Sequence, residues 1–291
     1  MSATPHAIEI SGLEIKSGAV SLNVPPPGLA VGRGAFCALV GASGSGKSVL
    51  LSVLTGHLLC PWMDRDAVFK CGKFSVLGNA VDEDVLSSKR KLNGLFGTLP
   101  IVYMPQKLPE DKSNKRSTAA EMTDIAKAIA PNRLRFHLKR RIAEVFAERG
   151  LRETLRKPLS SLSGGQRKRV EILARIVGAA EMTTAGDSRE IIFLLDEPMT
   201  GLDAKNQLEY FNFLKSAQND RENLSATFVV TTHAFELLDE NAGIFDTVLM
   251  VRKRGGSGAD AENSDVSDCE LAFCGTPAEF AARKDLTGEI K

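Results

Sequence analysis

A chain of 291 residues with 43% apolar content has material for one large domain or about two compact ones, and its 37 lysines and arginines nearly balance 36 aspartates and glutamates. The resulting formal charge of +1 gives no global basic field, so no nucleic-acid partner is expected. Five cysteines (Cys37, Cys60, Cys71, Cys269, Cys274) show no C-x-x-C spacing, and their odd number argues against a disulfide framework, which makes reduced thiols the expectation. The start, MSATPHAIEI, lacks a charged segment followed by a long apolar one, and no apolar run approaches the ~20 residues that span a bilayer. The chain is therefore expected to be soluble and cytoplasmic.

In chain order, Ile8 to Ile15 and Ala19 to Val24 read as two short strands separated by Lys16, Ser17 and Gly18. Three prolines at 25–27 then force a break, because none can donate to a sheet ladder. Ala35 to Val40 (AFCALV) is short and apolar, as a buried strand should be, and it leads into GASGSGKS, residues Gly41 to Ser48. This octapeptide matches G-x-x-x-x-G-K-[ST] in full, and VLLSVLTG after it reads as helix, which completes the strand, loop and helix that the motif requires. Its glycines and serines (Gly41, Ser43, Gly44, Ser45, Gly46) let the backbone turn tightly and aim N–H groups at one point. With Ala42 they form a cradle for a phosphate chain at a helix N-terminus. Lys47 is placed to reach the β- and γ-phosphates, and the Ser48 hydroxyl to ligate Mg²⁺.

Beyond the loop, a strand is expected at Lys73 to Leu77, and the basic run Lys89 to Lys91 reads as a solvated face. Ile101 to Gln106 (IVYMPQ) is a strand whose end presents Gln106. From Pro109 to Lys157 the sequence turns polar and basic, with helical periodicity at Leu134, Leu138, Ile142, Val145 and Phe146. Arg133, Arg135, Lys139, Arg140 and Arg141 form a solvated helix face or, as a second reading, a contact for anionic lipid headgroups. LSSLSGGQRKRVEILARIV at Leu159 to Val177 places Ser163, Gly164 and Gly165 at the start of an amphipathic helix, a second site suited to anionic oxygen.

IIFLLDE, Ile191 to Glu197, describes a buried parallel strand with two carboxylates at its carboxyl end, where ligands bind in open α/β sheets. Asp196 is thereby placed to support a Mg²⁺ shell and Glu197 to polarise a water. A helix at Gln207 to Gln218 and a buried strand ending at His233 follow. His233 is the third strand end to present a polar residue, after Gln106 and Glu197.

Together these residues resemble the ATPase subunits of ATP-binding cassette (ABC) systems, over about Ile8 to Phe280. LSGGQ at Leu162 to Gln166 is similar to the family's signature loop, Gln106 to its Q-loop glutamine, GLD at Gly201 to Asp203 to its D-loop, and His233 to its switch histidine. The resemblance implies an α/β fold: a P-loop NTPase core with a mostly parallel sheet flanked by helices, an antiparallel β subdomain, and an inserted α-helical lobe. Within one cassette spanning 1–291, the core is expected at about 1–106 and 178–291 and the lobe at about 107–177.

The resemblance also implies ATP and Mg²⁺ as ligands, with Gln106, Glu197 and His233 as the catalytic set, and Ser48, Gln106 and Asp196 around the metal. Gly41 to Val49, Ser163 to Gln166 and Asp203 would bind nucleotide, the signature of one subunit closing over the γ-phosphate held by Lys47 of a second. The implied partners are that second ATPase subunit, in an ATP-dependent homodimer, and a transmembrane permease that holds the chain at the cytoplasmic membrane face. A mechanotransmission complex without translocation, or a soluble cassette acting on nucleic acid or ribosomes, is the alternative. Two departures stand out: Ile8 to Ala35 holds no aromatic residue to stack on adenine, and Val49 lacks the hydroxyl the family often has there. Phe36 is one residue that could supply the ring. The segment 255–268 is glycine-rich, acidic and expected to be mobile.

Overall fold

The computed structural model describes residues 6–17, 20–56, 68–86, 88–106, 116–182, 190–219, 225–233, 238, 243–254 and 267–288. They form two compact units, the first comprising Met1–Tyr103, Ile192–Asp196 and Ala226–Lys291, the second Met104–Ile191 and Glu197–Ser225.

The first unit opens with strands β1 (His6–Ser11), β2 (Leu13–Ser17), β3 (Val20–Val24), β4 (Leu29–Gly32) and β5 (Phe36–Val40), then helix α1 (Lys47–Leu54). The two strands expected before the prolines are thus three. Ile8 and Ile10 are buried on one alternation and Leu13 and Ile15 on the opposite one, so the inward face changes phase at Gly12, whose φ is 65°. The chain there passes from one sheet to another: β1 lies in a sheet of order β4-β1-β7-β8, where β7 is Lys73–Val76 and β8 Asn79–Ala80. The break at the prolines falls as expected, between Val24 and Leu29.

The larger sheet includes β2, β3, β5 and β6 (Val68–Lys70), together with β9 (Ile101–Met104), β10 (Glu190–Leu195), β11 (Ser225–Thr232), β12 (Thr247–Lys253) and β13 (Ser267–Gly275). Among the described residues its order is β6-β2-β3-β13-β12-β5-β11-β10-β9. β5 is parallel to both β11 and β12, while β12 and β13 are antiparallel, as are β2 and β3. All five residues of β5 and all six of β10 are buried, and apart from Glu190 at the start of β10 both read as continuous apolar runs. Phe193 stacks on Phe228 with ring centroids 4.8 Å apart, and Phe36 packs at 5.4 Å from Phe228 and 5.3 Å from Phe245. Ser267 and Asp268, expected in a mobile segment, instead begin β13, where Asp268 Oδ1 accepts the Ser21 hydroxyl at 2.8 Å; residues 255–266 lie outside the described residues.

The second unit is built from α4 (Thr118–Ile129), α5 (Arg135–Glu148), α6 (Gly164–Met182) and α7 (Ala204–Asn219), the earlier helices α2 (Glu83–Leu86) and α3 (Lys89–Thr98) belonging to the first. Met122, Ala126, Leu138, Ile142, Phe146, Val170, Leu173 and Val177 form its core. The expected periodicity holds from Leu138 onward, but Leu134 precedes the helix and is 74% exposed, because the first turn begins one residue too late to turn it inward. The four arginines of the basic face are ion-paired. Arg135 pairs with Asp124, Arg133 and Arg141 with Glu181, and Arg140 with Glu144.

Candidate functional site

In the first unit, residues Gly41 to Gly46 connect β5 to α1. Gly46 stands immediately before the helix at φ 99°, and a Cβ there would lie 2.7 Å from both Cβ and Sγ of Cys269, so strand β13 packs against the loop more closely than any side chain allows. Lys47 is buried and its Nζ donates to Gly41 O at 2.9 Å and to Ala42 O at 3.0 Å, which folds the ammonium over the mouth of its own loop. Ala42, Ser43, Gly44 and Ser48 are exposed, whereas Val49 packs partly against the core.

The Ser45 hydroxyl is buried without any hydrogen-bond partner among the described residues. An orphaned polar atom is unfavourable unless a ligand completes it, and a nucleotide's phosphate oxygens are acceptors of the required kind. The donor set of the loop, helix N-terminus and Lys47 therefore fits a phosphate chain.

Asp196 follows β10 and is buried. Its Oδ1 accepts the Thr231 hydroxyl at 3.0 Å and its Oδ2 the Tyr103 hydroxyl at 3.4 Å. Burial, and after it the Asp196 carboxylate, raises the Tyr103 phenol above its ordinary range, so Tyr103 remains a neutral donor. Sequence reasoning missed Tyr103 and Thr231. Their roles follow from β9 and β11 flanking β10. No group of three or more His, Cys, Asp or Glu able to hold a metal occurs among the described residues. A magnesium ion fits one carboxylate and one hydroxyl only with phosphate oxygens and waters filling its shell, which is how this hard cation is usually bound beside phosphates. His233 is exposed just past the end of β11.

The second unit holds the remaining predicted residues. Gln106 Nε2 donates to Glu197 Oε2 at 2.6 Å, and the Thr200 hydroxyl donates to the same oxygen at 3.0 Å. Glu197 takes φ 44°, a left-handed conformation rare outside glycine, and such strain gathers at functional positions. Thr200 was not anticipated either. Its carbonyl accepts from Lys168 Nζ at 2.5 Å, and burial lowers the Lys168 ammonium below its ordinary range.

The signature segment forms a reciprocal cap: Ser163 Oγ accepts from Gln166 N at 3.3 Å, while Ser163 N donates to Gln166 Oε1 at 3.2 Å. Ser163, Gly164 and Gln166 are exposed, and a Cβ on the half-buried Gly165 would lie 3.5 Å from Leu202. Asp203 caps α7, its two carboxylate oxygens accepting from the Asn206 amide N–H at 2.8 Å and side chain at 2.9 Å, and those donors lower its carboxyl below the ordinary value.

A mostly parallel buried sheet, a phosphate loop between strand and helix, and a buried carboxylate at the end of a neighbouring strand define a P-loop NTPase fold. The sequence profile of the ABC transporter family matches residues 26–200, more than half of the chain, and the protein belongs to that family. Among its relatives is the lipoprotein-releasing system ATP-binding protein LolD 1 of Caulobacter vibrioides, 29% identical over 205 residues that make up 70% of this chain and 75% of that protein. Another is the macrolide export ATP-binding/permease protein MacB of Nitrobacter winogradskyi, 29% identical over 79% of this chain but only 31% of that longer protein. The solved structure of cbiO1 from Clostridium perfringens, part of the ABC transporter complex cbiONQ, superposes with a TM-score of 0.62 over 99% of this chain and 95% of that one at 19% identity, a likeness of fold.

Proposed function

We propose that this chain is an ATP-binding and ATP-hydrolysing subunit that energises a membrane transporter through ATP-driven closure of a dimer. The observation that carries the reading is the Ser45 hydroxyl, buried without a hydrogen-bond partner among the described residues, inside a loop whose Lys47 donates to two of the loop's own carbonyls. Lys47 and the loop N–H groups hold the phosphates, and Ser48 with Asp196 would hold magnesium. Magnesium, when bound, supplies charge neutralisation across the phosphates. Tyr103 and Thr231 keep the Asp196 carboxylate oriented in the meantime. Glu197 orients a water and takes its proton, and Gln106 and Thr200 set the direction of that carboxylate. His233 steadies the terminal phosphate.

Ser163 to Gln166 and Asp203 belong to the site of a second copy, closing over its nucleotide from outside; the exposure of Ser163 and Gly164 supports this. A permease-type membrane protein is the proposed partner. It is supported by family membership, by relatives named for export and for lipoprotein release, and by the absence, among the described residues, of any helix long and apolar enough to cross a membrane. A nucleic-acid partner gains no support, since Arg133, Arg135, Arg140 and Arg141 are each paired with a carboxylate.

The test is phosphate release by the purified chain with Mg²⁺ and with EDTA, together with recovery of the tagged chain from detergent-solubilised membranes. Magnesium-dependent release and co-purification with a multi-span protein are expected. A chain that neither binds ATP nor sediments with membranes would contradict the proposal.

A further inference from the structure

The phosphate loop rests on the antiparallel pair β12 and β13 at three points. A Cβ on Gly41 would lie 2.1 Å from Val251 O, one on Gly46 would lie 2.7 Å from Cys269 Sγ, and one on Gly44 would lie 3.6 Å from Lys253 Cε and 3.8 Å from its Nζ. Strand alternation explains which side chains arrive there. Lys253 is paired across the ladder with Cys269, and Arg252 with Glu270, so the two pairs stand on opposite faces.

On the face away from the loop, Glu270 compensates both arginines: Arg252 Nε lies 2.9 Å from Oε1 and Arg254 Nε 3.5 Å from Oε2. On the loop face, Cys269 is a buried thiol wedged against Gly46, and Lys253 extends past it to Gly44. The Lys253 side chain makes no hydrogen bond or ion pair among the described residues and is exposed. Among the described residues its charge therefore has no carboxylate partner at the rim of the phosphate-binding loop, while the loop's own lysine donates to the Gly41 and Ala42 carbonyls.

We propose that Lys253 is a second cation of the phosphate site, a nucleotide-affinity residue supplied by β12 and aimed at the loop from its outer side by the packing of Cys269 on Gly46. It rests on the reading of the chain as an ATP-binding subunit. An ammonium on a flexible stem at a solvent-facing rim acts as a point charge, so its effect should grow with the number of phosphates and shrink with salt. A sequence-only inspection has no access to it, since Lys253 stands more than 200 residues from the loop and looks like any strand-end lysine.

The experiment is calorimetric titration of AMP, ADP and ATP, with Mg²⁺, into the full chain as wild type, Lys253→Met, Lys253→Arg and Lys47→Ala, at about 50 mM and about 300 mM salt. Lys253→Met is expected to weaken ATP binding about three- to tenfold at the lower salt, with a smaller loss for ADP and least for AMP, and the loss should shrink at the higher salt. Lys253→Arg should bind within about twofold of wild type, and Lys47→Ala should lose more than either. ATP affinity unchanged in Lys253→Met, or an equal, salt-independent loss in Met and Arg, would overturn this proposal alone, reducing Lys253 to a packing residue. A wild-type chain that binds no ATP would overturn the functional reading along with it.

Discussion

Gln106 Nε2 and Glu197 Oε2 stand 2.6 Å apart, and the Thr200 hydroxyl shares that carboxylate oxygen at 3.0 Å. Two donors on one oxygen fix the plane of the carboxylate, and Glu197 itself sits at a strained φ of 44° that leaves the backbone little room to adjust. Thr200→Val should therefore leave ATP affinity within about twofold while lowering turnover about tenfold, the worth of one hydrogen bond to a charged group. Gln106→Ala should do the same. Combined, the two should cost less than the sum, because both donors are needed to fix the carboxylate and losing either one already frees it. Phosphate release and ATP titration on the four proteins decide it, and full turnover in both single variants would remove the positioning role.

Phe36 is fully buried and packs against Phe228 and Phe245, so it cannot be the ring that stacks on a base. Phe36→Ala should lower stability by about 3–5 kcal/mol through the cavity it opens, read as a fall in Tm. If no other ring serves, wild-type chain should prefer ATP over GTP by less than about tenfold, since a stacked ring contributes on the order of 1 kcal/mol. Competition binding measures the preference, and a strong bias toward ATP would show that a group distinguishing adenine from guanine reaches the base.

Gly46→Ala should fold yet lose nucleotide affinity. The added methyl meets Cys269 at 2.7 Å and must also hold φ 99°, a conformation costing a non-glycine residue about 1–3 kcal/mol. Adding Cys269→Ala removes the sulfur but leaves the methyl facing Cβ and the dihedral penalty, so it should restore binding only in part. ATP titration of the single and double variants, alongside Tm, separates the two causes; full restoration would mean that φ carries no cost here.

Much of this was legible in the sequence where the chemistry is contiguous. Gly41 to Ser48 and Asp196-Glu197 are each written on one stretch of chain, and the buried strands leading into them are unbroken apolar runs. What escaped depends on strand order. Tyr103 and Thr231 reach Asp196 because β9 and β11 flank β10, and Cys269 and Val251 reach the loop because β12 neighbours β5 and β13 neighbours β12. The division at Gly12 left a trace, the switch of buried positions from Ile8 and Ile10 to Leu13 and Ile15, which alternation could have found. Leu134 fitted a helical period but lies one residue before the helix, where the period has no force.

The exposed signature segment predicts self-association that depends on nucleotide. Ser163 and Gly164 face solvent, so a second phosphate loop presenting a terminal phosphate would find the capped start of α6 accessible. Light scattering of the hydrolysis-deficient Glu197→Gln chain should report a monomer without ATP and a dimer with ATP and Mg²⁺. A stable dimer indifferent to nucleotide would contradict closure driven by ATP.

The central claim, that the Glu197 carboxylate activates water on a nucleotide held by the Lys47 loop, is tested most directly by phosphate release and ATP binding measured together for Glu197→Gln and Lys47→Ala. Glutamine keeps the reach of the side chain to its neighbours but removes the base, so turnover should fall about 10²- to 10⁴-fold with ATP affinity preserved. Lys47→Ala should instead lose the binding itself, its loop left without the buried ammonium. Near wild-type phosphate release in Glu197→Gln would contradict the account and assign the water to another group.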